Sequence, residues 1–166
     1  MPLIFWDASA LAKQYAPELG SDTVNALFAS LSLREMVTTP WGYAETYSIL
    51  LRRLNRGVLD LPTFTTAVTA LQRDIIDSPD FNLLSIDDAT IFASVLMMRR
   101  HNLNATDAVL LSVLLEHVAA LPPGSPVTLL VAADRRLLRA ATAEGLRTLN
   151  PEALPVTDLP AFLAGL

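Results

Sequence analysis

Four acidic residues, far apart in the chain, have the types and settings that could do chemistry. They are Asp7 at the end of the apolar run "LIFW", Glu45 in "YAETYS", Asp107 in "NATDAV" and Asp134 after "VTLLVAA". Each also has an ordinary explanation. Aspartate is among the best helix N-caps, so Asp7 and Asp134 suit the starts of the helices that follow them. Asp107 stands three residues after Asn104 and fits an acid in the first turn of a helix that Asn104 caps. Glu45 fits an acid favoured by a helix dipole. Singly, all four read as helix-start acids. Brought together, they would oppose one another's ionisation, and the usual compensation is a hard divalent cation. Mg²⁺ or Mn²⁺ takes oxygen ligands, keeps several waters, and can polarise a phosphodiester while activating a water nucleophile. The chemistry implied is metal-assisted phosphodiester hydrolysis, on the condition that the fold gathers the four.

The elements that would gather them are legible from periodicity and punctuation. Residues 3–6 form a short bulky apolar run, read as a buried strand with Asp7 at its C-terminal end. A helix of about two turns follows and stops at Pro17. "GSDTVNALFASL" reads as a helix capped by Ser21 with Asp22 in its first turn. "MVTT" at 36–39 is a second strand, and "WGYAETYSILLRRLNRG" a helix closed by Gly57 at the C′ position. Pro62 suits the first turn of a helix running to about Ile76. "FNLLSID" is a short strand or an extended connection. "DDATIFASVLMMRRHN" returns to helical spacing, with Ile91, Val95 and Met98 on one side. Another helix starts near Asn104, "LPPGSP" is a loop, and "VTLLVAA" is the clearest buried strand. A helix over "RRLLRAATAE" ends at Gly145, and "LRTL" is a last edge strand. Strands alternating with helices predict an α/β fold around a mainly parallel sheet with right-handed crossovers. In such a sheet, ligands bind beyond the carboxyl ends of the strands at a topological switch point, where Asp7 and Asp134 would lie.

Composition narrows the function classes. The chain has 166 residues, enough for one domain spanning 1–166, and 52% are hydrophobic against 17% charged, so a sizeable core is expected. So apolar a chain is expected to leave a patch that a second copy covers. Cysteine is absent, which removes disulfides, thiolate nucleophiles and cysteine-based zinc sites. No basic leader opens the chain and its apolar runs fall short of the ~18 residues needed for a membrane span, so a soluble cytoplasmic protein is expected. A formal net charge of -5 argues against a broadly basic nucleic-acid binder. A local strip remains open, since 11 of the 12 basic residues are arginine and include the pairs Arg52/Arg53, Arg99/Arg100 and Arg135/Arg136.

"FWDASALAKQY", "YAETYSILLRRLNRG", "NATDAVLLSVL" and "VAADRRLLRAATAEGL", in that order along nearly the whole chain, resemble the four acidic motifs of the PIN-domain ribonuclease family, in particular its VapC-type toxin branch. The resemblance implies a three-layer α/β/α sandwich and Mg²⁺- or Mn²⁺-dependent endoribonuclease activity. By motif position it gives metal or water coordination to Asp7, Glu45, Asp107 and Asp134, and gives Ser9 the hydroxyl that orients the first carboxylate. It also implies an RNA substrate, a homodimer, and a cognate antitoxin, often one that supplies an arginine to the acidic pocket. Three departures stand out. The third motif reads "DAVLLS" where many relatives carry a histidine, Ala132 replaces a common threonine or serine, and the chain is longer, with the extra length expected within 58–80 and 119–126.

A different class of reading is a non-catalytic PIN-like module that binds RNA or protein. A receiver-type phosphoacceptor would need paired acids at the first strand end and a lysine after a late strand. A haloacid-dehalogenase-type phosphatase would need an acid where Ser9 stands. His101 and His117 lack partners at metal spacing and read as surface or interface residues. Lys13 and the arginine pairs are open between an RNA path and solvated helix faces. Trp6 reads as core, and Trp41 is open between core and base stacking.

Overall fold

The structure, a computed structural model, describes residues 2–166; Met1, the first residue of the expected domain span, lies outside the described residues. Five strands, β1 (Leu3–Trp6), β2 (Met36–Thr38), β3 (Asn82–Leu83), β4 (Thr128–Val131) and β5 (Arg147–Leu149), form one sheet in the order β3-β2-β1-β4-β5. Every pairing is parallel. The chain leaves β1 toward β2 on one side and returns to β4 on the other, so the switch point falls between β1 and β4. Their register, Ile4 with Leu129 through Trp6 with Val131, places Asp7 and the residues after Val131 side by side at the carboxyl edge.

Strand side chains alternate between faces, and the two faces carry separate cores. Ile4, Trp6, Met36, Leu129 and Val131 pack beneath α1 (Ala8–Tyr15), α2 (Ser21–Ser30), α3 (Pro40–Asn55), α4 (Leu61–Gln72) and the C-terminal α9 (Leu159–Ala164). Phe5, Val37 and Leu130 pack beneath α7 (Ala105–Ala120) and α8 (Arg135–Ala143), with Met97 and Met98 of α6 (Val95–His101) at the margin. Helices therefore cover both faces, and the expected three-layer α/β/α sandwich around a parallel sheet is the fold observed. No single helix among the described residues is long and apolar enough to cross a membrane.

Most element boundaries follow their chemical cues. Asp60 caps α4 and accepts from the Thr63 amide, with Pro62 in the first turn. Arg56 ends α3 and Gly57 follows at φ 70°, a left-handed turn that an L side chain resists. Two readings need correction. The cap of α2 is Gly20 at φ 85°, not Ser21. A side chain there would strike the Pro151 backbone, so the chain needs glycine in that place. Ser21 instead turns inward, donating to the Lys13 carbonyl and accepting from the Glu18 amide.

The second correction concerns residues 87–102. The expected single helix is two, α5 (Asp88–Ala93) and α6, joined at Ser94. Its buried side is Thr90 and Ser94, while Ile91 and Val95 of the expected apolar side are exposed and Met98 is half-buried. Thr90 Oγ1 donates to Glu116 Oε2 of α7 at 2.7 Å, so small polar side chains bring α5 against α7. The C-terminal α9 was not anticipated; its Leu159 seals the core near α2.

Candidate active site

The four acids reach the carboxyl edge of the sheet from four different elements. Asp7 follows β1, its amide donating to the Val131 carbonyl of β4 at 3.0 Å. Glu45 lies on α3, the helix after β2; Asp107 lies in the first turn of α7; Asp134 follows β4 and opens α8. The helix-start explanation holds for three of them. Asp7 accepts from the Ser9 amide, Asp134 Oδ1 accepts from the amides of Arg136 and Leu137, and Asn104 caps α7 by accepting from the Asp107 amide. Capping and convergence coexist, because helices that start at the carboxyl edge of a sheet bring their caps to that edge.

Electrostatics shows the convergence. Burial raises the Asp7 carboxyl above its ordinary pKa, two hydrogen bonds from Ser9 pull it back, and the charge of Asp134 raises it further. Glu45 is pushed up to about 7, first by burial and then by the charges of Asp7 and Asp107, with Arg52 opposing. Asp107 is pushed up to about 6 by burial and by the charges of Asp7 and Asp134, with Arg136 and the Asn104 hydrogen bond opposing. Every acid of the set raises another or is raised by one, and none forms an ion pair among the described residues. The result is a concentration of unpaired negative charge.

Several neutral groups hold these carboxylates in place. The Ser9 hydroxyl donates to Asp7 Oδ2 and accepts from the Ala133 amide at 2.9 Å, tying the end of β1 to the end of β4. Asn104 Nδ2 donates to Asp107 Oδ2 at 2.8 Å. Thr38 donates to the Trp6 carbonyl at 2.8 Å, and its hydroxyl lies where a Cβ on Gly42 would stand. A Cβ at residue 42 would crowd that hydroxyl, so either Thr38 or the start of α3 would have to shift.

The ligands that the four acids offer are carboxylate oxygens. Among the described residues, no three Asp, Glu or His side chains stand close enough to enclose an ion unaided. Such an open, carboxylate-only arrangement fits Mg²⁺ or Mn²⁺, which bind through one or two carboxylates and retain waters, better than a cation that demands a closed protein cage. Two cations flank the acids, Arg52 and Arg136, one from each of two arginine pairs that the sequence leaves open between an RNA path and solvated helix faces. Arg52 shares a helix face with Glu45, and Arg136 follows the Asp134 cap by two residues. Lys13 is corrected outright: it is 3% exposed and bonds Glu18 and Glu152 at 3.0 and 2.8 Å, so no RNA path passes it. His101 is engaged with Glu144 at 2.6 Å. Trp6 is core, and Trp41 is 48% exposed.

The profile of the PIN domain matches residues 4–143, and the chain belongs to that family. No curated protein sequence matches it significantly. Among solved structures it is similar to the sarcin-ricin loop cleaving toxin VapC20 of Mycobacterium tuberculosis, at 18% identity and TM-score 0.63 over 92% of this chain and 99% of that one. It is similar also to FitAcB from Neisseria gonorrhoeae, at 17% identity and TM-score 0.60 over 91% and 99%. PAE2754 from Pyrobaculum aerophilum superposes at 17% identity and TM-score 0.58 over 99% and 97%. At such identities the likeness is one of fold.

Proposed function

We propose that this chain is a divalent-metal-dependent endoribonuclease, a single-domain toxin of a type II, VapBC-like toxin–antitoxin pair, acting in the cytoplasm as a homodimer. The observation that carries the nuclease reading is the gathering of Asp7, Glu45, Asp107 and Asp134 at one sheet edge, where burial first and then the charges of neighbouring acids raise Glu45 to about 7 and Asp107 to about 6. Repulsion of this kind costs stability unless a cation offsets it. Membership of the PIN family and the likeness to a sarcin-ricin loop cleaving toxin support RNA as the substrate class. The exposed side chains of Phe92, Val95 and Leu96 support a homodimer.

The four carboxylates would hold Mg²⁺ or Mn²⁺ directly or through its waters. When bound, the ion supplies a Lewis acid for the phosphoryl oxygens and a nucleophilic water near neutral pH. The chain's own residues do the positioning. Ser9 fixes the Asp7 rotamer, and Asn104 fixes that of Asp107. Arg52 and Arg136 flank the acids and would draw RNA phosphates to a crevice that would otherwise repel them. The acidic crevice also suits an arginine from an antitoxin, which would pair with carboxylates that have no partner of their own.

One observation favours the non-catalytic module: no three of the acids close around an ion as they stand. Cleavage of a mixed RNA pool by the full chain, titrated with Mg²⁺ and with Mn²⁺ and quenched by chelator, decides between them. The nuclease reading expects cleavage that requires the ion and is lost in Asp7→Asn. No divalent-dependent cleavage at any enzyme concentration would leave the binding module.

A further inference from the structure

The chain has two tryptophans, and the fold treats them oppositely. Trp6 is fully buried against Phe28, with ring centroids 5.0 Å apart. Trp41 stands in the first turn of α3, 48% exposed, although an indole is costly to leave in water. One side of Trp41 borders a crevice it shares with Glu45, of about 10 Å³, room for roughly one water and no base. Trp41 also borders an open apolar cavity of about 460 Å³ lined by Pro40, Trp41, Ala44, Ile86 and Ile91. The aromatic surface is thus continuous with the acidic site and offers the open cavity to a larger guest.

Residues 41, 45, 48 and 52 recur at helical spacing and form one stripe on α3: an indole, an acid, a hydroxyl and a guanidinium. Arg52 Nη1 donates to Ser48 Oγ at 2.6 Å, which holds the guanidinium along the stripe. A rise of about 1.5 Å per residue puts Trp41 about 6 Å from Glu45 on one side and Arg52 about 10 Å away on the other. An unpaired RNA strand presents the complementary sequence of groups, a flat π-face on each base and an anion on each linkage. The guanidinium decides for such a strand over a purely apolar protein partner.

We propose that Trp41 and its open cavity form a nucleobase subsite, in which an unpaired RNA base stacks on the indole while a backbone phosphate on the far side of Glu45 meets Arg52. Placement of the scissile linkage at Glu45 rests on the nuclease reading; the stacking itself does not. Tryptophan emission tests it directly, because Trp6 is fully buried and Trp41 is the indole that a stacking base can reach. The probes are an unpaired RNA of about ten nucleotides, within the span that single-strand grooves track, and an abasic ribose-phosphate chain of equal length. Both are titrated into the full-length Asp7→Asn protein, so that binding is read without cleavage.

The expected result is quenching by the RNA and not by the abasic chain. Adding Trp41→Ala should weaken RNA binding by about 5- to 150-fold, the range for loss of one stacked base, and Trp41→Phe should retain most of the affinity. Equal quenching by the abasic chain, or unchanged RNA affinity in Trp41→Ala, overturns the subsite. If Trp41→Ala instead turns a dimer into a monomer in sedimentation while RNA affinity holds, the surface is a protein interface and the proposal is wrong. Failure of the nuclease reading looks different: base-dependent quenching persists, and the parent protein cleaves no RNA with either cation.

Discussion

Two clusters in this molecule each gather several acids, and they differ in how the charge is compensated. In the first, Lys13 of α1 bonds Glu18 and Glu152, and Arg53 of α3 pairs with Glu18 as well. Two cations meet two anions, and the group fastens α1 and α3 to the loops before α2 and after β5. In the second, Asp7, Glu45, Asp107 and Asp134 meet with no ion pair among the described residues, and two arginines only flank them. The first arrangement is complete as it stands and serves the fold. The second has no such compensation among the described residues, and on the proposed reading a bound divalent cation supplies it.

The contrast is broken most severely by neutralising one member of the unpaired set. Asp7→Asn keeps an N-cap oxygen for the Ser9 amide, so α1 should remain capped. RNA cleavage should nevertheless fall by at least about 10²- to 10³-fold, the scale of losing one preorganised electrostatic group. Because the carboxyl is destabilised in its ionised form, the cation-free thermal midpoint should stay equal or rise. Unfolding of this variant would mean that capping was the whole role of Asp7.

Ser9→Ala sharpens the boundary of the acidic site. It removes the hydroxyl that links Asp7 to the Ala133 amide but leaves all four charges in place. Cleavage or metal affinity should drop by about 10- to 100-fold, as for other groups that orient a metal ligand. Parental metal affinity and rate in this variant would show that Asp7 needs no such support.

Lys13→Met breaks the paired cluster instead. Removing one partner of a fully buried pair costs about 3–5 kcal/mol. Glu18 and Glu152 side chains are 30% and 32% exposed and Arg53 remains, so about 1–3 kcal/mol is expected, read by urea unfolding. Cleavage per folded molecule should be unchanged. A selective loss of cleavage would erase the distinction between the clusters.

The smallest effect is on pH dependence. Glu45 and Asp107 titrate near 7 and 6 in the folded state, above their ordinary 4.5 and 3.8. The folded state therefore binds more protons than the unfolded chain in this window, and their contribution to stability is lost as pH rises through the folded values. Without a divalent cation, the midpoint of the parent should fall relative to that of Glu45→Gln between about pH 5 and 7.5. Millimolar Mg²⁺ should reduce that fall, since it binds the ionised form. A parent midpoint that rises relative to Glu45→Gln over this range would contradict the raised Glu45.

Much of this was legible in the sequence because the cues were local. "LIFW" followed by Asp7 and "VTLLVAA" followed by Asp134 read as buried strands ending in acids, and a parallel sheet places such ends together. Glu45 and Asp107 were legible as helix-start acids, and only the alternation of strands and helices brought them to the same edge. What escaped depended on packing between distant segments. Gly20 caps α2 because Pro151 crowds it, and that neighbour is remote in the chain. Residues 87–102 looked amphipathic toward Ile91 and Val95, yet Thr90 and Ser94 face α7, because a hydroxyl bonded to Glu116 is stable in a place that periodicity reserves for an apolar side chain. Lys13 read as a solvated or RNA-facing cation, since its partner Glu152 comes from the far end of the chain.

A crystal of the full chain equilibrated with Mn²⁺ and measured at an anomalous wavelength tests the central claim most directly. The account predicts an anomalous peak at the carboxyl edge between β1 and β4, with at least one of Asp7, Glu45, Asp107 and Asp134 bound directly and the others reached through its waters. Saturating Mn²⁺ with no peak at that edge, in crystals whose protein still cleaves RNA, would contradict it.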